Sequence, residues 1–331
     1  MRALPLAVTL GDPAGVGPEI IAAAWRAHAP EDLPFVVFGD HGALTTAGAP
    51  VVRVESPDEA PGAFARAIPL IDMPLSGPVQ PGLPKSEAAP QVAGWIAAAT
   101  EACLSGETCG MVTAPISKAV LKSAGFRHPG HTEFIGDLTA RAPWAGERGP
   151  VMMLVAGDLR VSLATIHLPL SRVPESLTAE GVARTARVTA QALARDFGIP
   201  RPRLAMAALN PHAGESGEIG REEIDLLRPV AEALRAEGID IAGPLPADSL
   251  FAPEIRQGYD AVVCMYHDQA LIPVKMLDFW GGVNITLGLP VVRTSPDHGV
   301  AFDIAGKGMA RADSFIAALK AAAQIASRRA L

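Results

Sequence analysis

The sequence predicts an α/β fold with a largely parallel sheet and one antiparallel insertion. Apolar, β-rich runs alternate with helical stretches along the 331 residues, and this order is typical of parallel strands that are joined by helices. Two of the runs, Val151–Ala156 and Leu159–Ile166, are separated only by Gly157 and Asp158, which is a two-residue hairpin signal. Apolar residues make up 49% of the chain and charged residues 19%, so the chain can bury a large core.

The individual strands and helices follow from this alternation and from their end signals. Further strands are predicted at Leu6–Leu10, Pro34–Phe38, Gly110–Ala114, Leu204–Leu209, Ala261–Tyr266, Ile285–Leu287 and Val291–Arg293. Helices are predicted at Pro18–His28, Ser86–Leu104, Ser117–Ala124, Val182–Phe197, Arg221–Glu237 and Ala312–Arg329, and another from Glu133 onward. Pro18 suits the first turn of its helix, and Gly106 lies just beyond the end of the helix that Ser86 caps.

Charge and hydropathy exclude several classes of protein. The net charge is −7 with a pI near 5.6, and no stripe of Lys and Arg offers a surface for nucleic acid or anionic lipid. No apolar run approaches the roughly 18–20 residues of a membrane span, and the first run is too short for a signal sequence. Cys103, Cys109 and Cys264 have no CxxC spacing and are expected to be buried free thiols. We therefore expect a cytoplasmic protein that binds neither nucleic acid nor membranes.

Three histidines occupy the same position relative to predicted strands. His167, His212 and His267 each follow a strand closely, and the carboxyl ends of parallel strands line the ligand crevice of α/β sheets. Three imidazoles at that edge can bind one divalent metal and leave a position open for substrate or water. The alternative for any one of them is a hydrogen-bonded loop histidine without a ligand.

A second group of residues is suited to an anion. His131 and Thr132 follow a Pro-Gly loop at the start of a predicted helix, where free amides favour phosphate or carboxylate. Downstream, Lys275, Asn284 and Arg293 lie among apolar residues, where a cation is costly unless it is paired. Pairing with Asp278 or another carboxylate is the alternative to an anionic ligand.

The Gly-rich segment Gly11–Glu19, GDPAGVGPE, lies between a strand and a helix, where a phosphate loop can occur. It matches neither the P-loop pattern nor the G-x-G-x-x-G fingerprint of dinucleotide-binding folds. Tight-turn chemistry explains its glycines equally well, so this segment alone does not indicate a ligand.

Four motifs in order resemble the 4-hydroxythreonine-4-phosphate dehydrogenase family of pyridoxal phosphate biosynthesis. They are TLGDPAGVGPEI, TAPISKAVLKSAGFRHPGHTEF, LNPHAGE, and MYHDQALIPVKM together with GVNITLGLPVVRTSPDHG. They extend from residue 9 to about residue 308, so the resemblance covers nearly the whole chain. It implies two α/β/α domains with a cleft, as in isocitrate and isopropylmalate dehydrogenases. We place the first at 1–130 plus 290–331, with the nucleotide loop, and the second at 131–289, with the metal site and dimer interface.

The resemblance implies one divalent metal, zinc before magnesium or cobalt, at His167, His212 and His267. It implies substrate contacts at five positions: His131, Thr132, Lys275, Asn284 and Arg293. It also implies a homodimer whose site draws on both subunits, so that one histidine comes from the partner chain.

The segment Asp297–Gly308, DHGVAFDIAGKG, is similar to the nucleotide loop of isopropylmalate dehydrogenases. By that match the cofactor-binding residues are His298, Gly299, Asp303 and Gly306. A carboxylate at Asp303 would accept hydrogen bonds from the adenosine ribose and repel a 2′-phosphate, so NAD is favoured over NADP.

The implied reaction is oxidation of 4-phosphooxy-L-threonine at C3 by NAD, followed by decarboxylation to 3-amino-2-oxopropyl phosphate. The metal would stabilise the developing alkoxide, and the base is Asp248, Asp268 or metal-bound water. The alternative role for Asp268 is to orient His267. Trp280 and Gly281 depart from the family pattern, in which many members have arginine at the position of Gly281.

Several other functions remain open at this stage. They are dehydrogenation of a related four-carbon phospho-acid (4-phospho-threonate or phospho-erythronate), dehydrogenation of an aromatic-derived diol, metal-dependent hydrolysis or lysis, phosphate-acyl transfer, and non-catalytic binding.

Overall fold

The computed structural model describes residues 4–29, 31–128 and 130–330. Within these ranges the chain divides into two compact units, one made of Met1–Pro143 and Leu289–Ala330 and the other of Trp144–Gly288. The sequence placed the first boundary after residue 130. The first unit continues to Pro143 because the helix that begins at His131 packs against helix Ala89–Leu104 of the same unit.

The described residues form twelve strands. They are β1 Leu6–Thr9, β2 Phe35–Gly39, β3 Val51–Arg53, β4 Ile68–Asp72, β5 Met111–Thr113, β6 Val151–Ala156, β7 Leu159–Leu163, β8 Arg203–Ala207, β9 Asp240–Leu245, β10 Ala261–Cys264, β11 Val283–Leu287 and β12 Arg293–Pro296.

Thirteen α-helices connect the strands in the same described ranges. They are α1 Gly17–Arg26, α2 His41–Thr45, α3 Ala60–Ala63, α4 Ala89–Leu104, α5 Lys118–Ser123, α6 His131–Leu138, α7 Val173–Ser176, α8 Ala179–Asp196, α9 Arg228–Ala236, α10 Ala247–Leu250, α11 Pro253–Arg256, α12 His267–Leu277 and α13 Asp313–Arg329. Short 3-10 turns precede α3, α4 and α7, and a π-helical turn, Glu223–Leu227, leads into α9.

The first unit is built on a parallel sheet with strand order β3-β4-β2-β1-β5-β12. Helices α4 and α13 pack against its central strands. Their fully buried Trp95 and Phe315 contribute to the core with Phe35 of β2. The carboxyl ends of β1, β5 and β12 therefore lie at one edge of this sheet, followed by the Gly-rich segment, α5 and the predicted nucleotide loop.

The second unit has a mixed sheet with strand order β11-β6-β7-β10-β8-β9. Strand β6 runs antiparallel to both neighbours, β7 and β11, and the remaining strands are parallel. The hairpin predicted at Gly157 and Asp158 joins β6 to β7 and provides the antiparallel insertion. Helices α8 and α12 pack against this sheet over a core of Leu, Val and Ala side chains. The predicted α/β fold class is thus confirmed.

Two predicted elements are corrected. The helix predicted at Arg221–Glu237 begins with the π-helical turn and becomes α-helical only at Arg228. The strand predicted at Val291–Arg293 is displaced to Arg293–Pro296, because its pairing with β5 begins at Arg293, opposite Met111. Among the described residues no helix is both long and apolar enough to span a bilayer.

The three cysteines are free thiols, but only Cys264 is buried in the fold. Cys103 and Cys109 are half-buried, contrary to the expectation that all three lie in the core. Burial raises the pKa of the Cys103 thiol to about 12 and that of Cys109 to about 11. All three therefore remain protonated and poorly nucleophilic at neutral pH.

Candidate functional site

Four parallel strands of the second unit deliver the predicted metal and acid-base residues to one sheet edge. In the order β7-β10-β8-β9, each strand is followed by one of them: His167 after β7, His267 after β10, His212 after β8 and Asp248 after β9. The three of these strands that the sequence predicted, β7, β8 and β10, end two to three residues earlier than expected. Their carboxyl ends still lie at the predicted edge. The carboxyl ends of parallel strands are where α/β sheets bind ligands.

His167 and His267 lie together in a pocket of about 410 Å³ in this unit. Their ring centroids are 5.7 Å apart with the planes tilted by 40°. With metal–nitrogen bonds of about 2.1 Å, two ligating imidazoles hold their centroids roughly 5–6 Å apart. The centroid distance of the pair is therefore compatible with two rings that bind one cation. Thr165, Tyr266 and Asp268 also line the pocket.

Asp268 is placed to orient one of these rings. Its Oδ1 lies 2.8 Å from Nδ1 of His267, which leaves Nε2 of that ring for a ligand. A carboxylate on the remote nitrogen is the usual partner of a metal-binding histidine, because it fixes the tautomer and the ring orientation.

His212 does not join the pair within a single chain. In the described part of the chain no three His, Cys, Asp or Glu side chains converge as a metal site. His212 is exposed and lies in the segment Pro211–Gly217, which we call the His212 loop. The structure thus brings together two of the three predicted metal histidines.

The His212 loop has an unusual backbone. Five consecutive residues, His212 to Ser216, have φ between 44° and 79°, and four of them carry side chains. An L-residue in this left-handed region costs about 1–2 kcal/mol. His167 shares the feature with a φ of 50°. Such conformations cluster at functional sites and persist only where the surrounding structure enforces them.

The predicted anion site of the first unit is formed at the start of α6. His131 is the first residue of this helix and Thr132, which is buried, is the second. The helix therefore begins two residues before the predicted Glu133. Nε2 of His131 is buried and has no hydrogen-bond partner among the described residues. A buried nitrogen in this state is suited to a ligand atom.

Arg293 lies beside this group and is only 3% exposed. Its Nε and Nη2 donate to Oγ1 of Thr113 at 3.2 and 2.7 Å. Burial lowers the pKa of Arg293 to about 10, while nearby Glu133 acts in the opposite direction, so the guanidinium is charged at neutral pH. Burial, with the positive charges of Arg293 and Lys118, holds the pKa of His131 well below its usual value. A neutral imidazole beside two cations is an arrangement that favours an anionic ligand.

Lys275 and Asn284 belong to the second unit. Nζ of Lys275 donates to the carbonyl of Phe279 at 3.4 Å and lies 5.0 Å from the centroid of that ring. Asn284 lies on β11, and its Oδ1 is buried without a partner among the described residues. Asp278, the carboxylate that the sequence offered as a partner for Lys275 and Arg293, accepts from the amides of Trp280 and Gly281 at 3.1 and 2.8 Å.

The departure at Gly281 has a structural reason. A Cβ at this position would overlap the Asp278 carboxylate, so a larger residue here would require the Asp278 side chain to move. Trp280 is 51% exposed and packs edge-on against Phe279.

The predicted nucleotide loop, Asp297–Gly308, is held by the Gly-rich segment. The amide of Val16 donates to the carbonyl of Val300 at 3.0 Å, and that of Gly308 to Oε1 of Glu19 at 3.3 Å. A Cβ at Gly15 would lie 2.8 Å from the Val300 carbonyl, so the glycine allows this close approach. Asp303, Gly299 and Gly306 are exposed, and Nδ1 of His298 lies 3.0 Å from the Gly299 carbonyl.

The sequence analysis missed three residues that the geometry brings forward. Thr113 holds Arg293, and Lys118 lies close enough to lower the pKa of His131. Thr113 ends β5 and Lys118 follows it, both within the TAPISK motif, so this motif was a usable signal. The third, Glu223, had no such signal, because its spacing suggested an ordinary helix surface.

Comparison with known proteins gives a consistent family. Residues 31–322 match the model of the pyridoxal phosphate biosynthetic protein PdxA. A 4-hydroxythreonine-4-phosphate dehydrogenase of Caulobacter vibrioides is 60% identical over 331 residues, which cover 99% of both chains.

Solved structures agree with this match. The crystal structure of 4-hydroxythreonine-4-phosphate dehydrogenase from Klebsiella pneumoniae has a TM-score of 0.86 at 39% identity and covers 98% of this chain and 100% of that one. A terephthalate 1,2-cis-dihydrodiol dehydrogenase from Burkholderia xenovorans has a TM-score of 0.63 at 30% identity, with 98% of each chain covered.

Proposed function

The chain belongs to the pyridoxal phosphate biosynthetic protein PdxA family, and from this membership we propose the chemistry of its site. It is an oxidoreductase of the 4-hydroxythreonine-4-phosphate dehydrogenase type in pyridoxal phosphate biosynthesis. The substrate is 4-phosphooxy-L-threonine, the oxidant is NAD, and the product after loss of carbon dioxide is 3-amino-2-oxopropyl phosphate.

The reaction has two balanced steps. The hydrogen on C3 leaves with its electron pair to the nicotinamide of NAD, and the C3 hydroxyl loses its proton to a base. The resulting β-keto acid then breaks its bond to the carboxylate, releasing carbon dioxide. The electron pair of that bond enters an enolate, which takes up a proton to give the aminoketone phosphate.

The observation that carries this proposal is the buried group at the start of α6. Arg293 supplies a charged fork that is already oriented by Thr113, and His131 presents a neutral ring with an unpartnered nitrogen. Together with the amides of the helix start and Thr132, they are suited to the substrate's phosphate. Lys275 and Asn284 are assigned the remaining polar groups of the substrate. Their role is to fix C3 in a reactive orientation.

We assign the metal to His167, His212 and His267, with zinc favoured by the all-imidazole ligand set. A bound divalent cation lowers the pKa of a coordinated hydroxyl and stabilises the negative charge that develops on its oxygen. The 5.7 Å distance between the ring centroids of His167 and His267 supports this assignment. Asp268 holds the His267 ring through Nδ1, so Asp248 is the better of the two proposed bases.

The separation of His212 from the other two histidines suggests how the site is completed. We propose a homodimer in which a histidine of the partner subunit completes the ligand set. The chain's exposed apolar residues on α12 and the following turn, such as Met276 at 82% exposure and Phe279 at 57%, are available for such an interface.

We assign NAD to the loop Asp297–Gly308, with the Asp303 carboxylate on the adenosine ribose and His298, Gly299 and Gly306 shaping the loop. The exposed Asp303 carboxylate would repel a 2′-phosphate. We also propose that the protein acts in the cytoplasm, because its three cysteines are free thiols.

The direct test is the reduction of NAD by the purified protein, followed by absorbance of the reduced nicotinamide. The substrates are 4-phosphooxy-L-threonine, 4-phospho-threonate and 4-phospho-erythronate, each with and without a chelator. The proposal expects chelator-sensitive turnover that is fastest with the amino acid. Turnover with only a deaminated acid would move the chain to a sibling substrate, and no reduction with any of them would contradict the dehydrogenase assignment.

An unphosphorylated diol, the substrate class named for the Burkholderia relative, is the second candidate. Arg293 and His131 argue against it, because a buried guanidinium and an imidazole Nε2 without a partner among the described residues are suited to a phosphate rather than to an uncharged diol. Addition of such a diol to the same assay separates the two candidates.

A further inference from the structure

The His212 loop cannot hold its conformation by its own sequence. Four of its five left-handed residues carry a Cβ, and L-residues occupy this region only where neighbouring groups enforce it. The residues that contact the loop from outside therefore decide where the His212 imidazole points.

Glu223 is the residue that contacts the backbone entering the loop. Its Oε1 accepts hydrogen bonds from the amides of Leu209 and Asn210, both at 2.8 Å. Its Oε2 accepts from Nδ2 of Asn210 at 3.0 Å. The same Nδ2 also donates to Oε2 of Glu222 at 2.7 Å, so the Asn210 side chain is fixed from two sides.

The Glu223 carboxylate also contacts the centre of the loop. Gly214 has a φ of +79°, and a Cβ there would lie 2.7 Å from Oε2 of Glu223. The carboxylate thus bonds the chain two residues before His212 and, with the Gly220 carbonyl at the same 2.7 Å, bounds the space for a side chain two residues after it.

The burial of this acid is itself informative. Glu223 is 0% exposed, and a carboxylate is removed from water at such cost only when several donors compensate it. Burial alone would raise the pKa of Glu223, but the hydrogen bonds from Asn210 and the neighbouring amides bring it below the usual value. The group is therefore ionised at neutral pH and accepts from three amide donors at once.

The helix that carries Glu223 is irregular at this residue. Glu223 is the first residue of the π-helical turn Glu223–Leu227, which precedes the regular helix α9. Turns of this width occur mostly as single insertions and often lie at functional sites.

We propose that Glu223 is a positioning residue, whose carboxylate fixes the backbone on both sides of His212 and so sets the direction of its imidazole. The effect of Glu223 on the reaction rests on the metal-binding role proposed for His212. Glu223 itself touches neither substrate nor cofactor in this proposal.

The test compares Glu223→Gln with Asp225→Asn. The two changes are the same carboxylate-to-amide exchange, but Asp225 pairs only with Arg221 at the surface, at 2.9–3.0 Å. In Glu223→Gln an amide group must face Nδ2 of Asn210, which places two donors opposite each other. We expect Zn²⁺ to bind the chelator-treated protein about 10–100-fold more weakly, with a lower kcat and an unchanged KM for NAD. Asp225→Asn should match the unaltered protein.

A metal-free readout separates this proposal from the function it rests on. The Cε1–H resonance of His212, assigned by its absence in His212→Ala, should shift or broaden in Glu223→Gln without any metal present. An unmoved resonance in a folded Glu223→Gln protein, judged by circular dichroism, would overturn the positioning role. A shifted resonance, combined with normal Zn²⁺ affinity in His212→Ala, would uphold the positioning role and contradict the metal assignment.

If Glu223→Gln does not fold, Gly214→Ala is compared with Gly214→Ala made together with Glu223→Ala, because the added methyl would meet both the Glu223 carboxylate and the Gly220 carbonyl at 2.7 Å and only the first is removed in the double variant. A His212 resonance that differs between the single and the double variant supports the proposal, and the same resonance in both overturns it.

Discussion

At the scale of single residues, two of the proposed ligand-binding side chains, Arg293 and His212, are held in different ways. Arg293 is buried and held by a hydroxyl, so its fork is oriented before any ligand arrives. His212 is exposed, and its position depends on a backbone that is unfavourable for four of five residues. The first arrangement depends on a partner 180 residues away along the chain, whereas the second depends on contacts from a residue only 13–14 positions from the loop entrance.

Replacement of Arg293 by alanine should raise KM for the phosphorylated substrate by about 10–100-fold, since a hydrogen bond to a charged group is worth about 1.5–3 kcal/mol. KM for NAD should change by less than about twofold, because the proposed nucleotide loop is separate from this group. Steady-state kinetics with each substrate varied in turn gives both values. Arg53→Ala, at an exposed ion pair with Asp72, is the control; equal effects of Arg293→Ala on both KM values would contradict the phosphate contact.

Replacement of Gly214 by alanine should lower the free energy of unfolding by at least about 1–2 kcal/mol, the cost of a Cβ in left-handed backbone. The loss should exceed that of Gly48→Ala. Gly48 has a φ of +66° but nothing within 4 Å of an added Cβ, so the control measures the backbone cost alone. Urea unfolding of the three proteins gives the comparison; equal losses would show that neither the Glu223 carboxylate nor the Gly220 carbonyl, each 2.7 Å from the added Cβ, crowds this position.

The sequence identified Arg293 and His131 because a cation in an apolar run and a histidine after a Pro-Gly loop are local anomalies. Glu223 lies in a stretch whose spacing is that of an ordinary amphipathic helix, and its burial arises from the return of the chain toward Leu209. Only the folded backbone reveals that contact. Thr113 lies in the TAPISK motif and could have been singled out, but its partner Arg293 lies 180 residues away along the chain and only the fold shows the pairing.

At the scale of elements, the edge formed by β7, β10, β8 and β9 was largely predictable. Long apolar runs with clear turn signals were placed correctly, and three of the four strands were among them. Strand β9 was missed because Gly243 and Pro244 interrupt its apolar pattern. Strand β3 was missed because three residues are too few to give a clear pattern. Helix α12 was not predicted either, since Pro273 lies inside it.

An ion pair at the opposite end of these strands should make stability depend on pH. Arg203, at the start of β8, donates its amide to Oδ2 of Asp260 at 2.8 Å and its guanidinium to the same carboxylate. Burial alone would raise the pKa of Asp260, but these hydrogen bonds lower it overall. The contribution to stability is therefore complete above the unfolded value of about 4 and is lost as the pH falls through the lower folded value.

Asp260→Asn should accordingly be less stable than the unaltered protein at pH 7, and the difference should shrink below pH 4. Chemical unfolding between about pH 3 and pH 7 measures this difference, because that range spans the titration of the carboxylate. Asp225→Asn, at an exposed pair, provides the reference. A difference that stayed constant across this range would contradict the linkage.

At the scale of the whole molecule, each compact unit contributes a different kind of chemistry. The first contains the proposed anion site and the proposed nucleotide loop. The second contains the three proposed metal histidines and both proposed bases. Composition alone could not place the division between them, because no linker of distinct composition marks it. The packing of α6 on α4 decides that Pro143, rather than residue 130, ends the first segment.

Metal binding should stabilise the molecule as a whole. A ligand that binds only the folded state at about 100 times its Kd adds about 2.7 kcal/mol, so Zn²⁺ should raise the Tm of the chelator-treated protein by several degrees. The double variant His167→Ala, His267→Ala should lose most of this rise. Scanning calorimetry with and without Zn²⁺ measures it, and an undiminished rise in the double variant would show that the ion binds elsewhere.

The exposed Trp280 has an optical consequence. Three of the four tryptophans, Trp25, Trp95 and Trp144, donate their indole N–H to backbone carbonyls, so their emission should respond little to a ligand. Trp280 is half exposed and packs on Phe279, the ring that also contacts Lys275. An anion that draws Lys275 away from that ring would change the surroundings of Trp280. The chain thus contains an intrinsic fluorophore through which ligand binding can be followed in the absence of turnover.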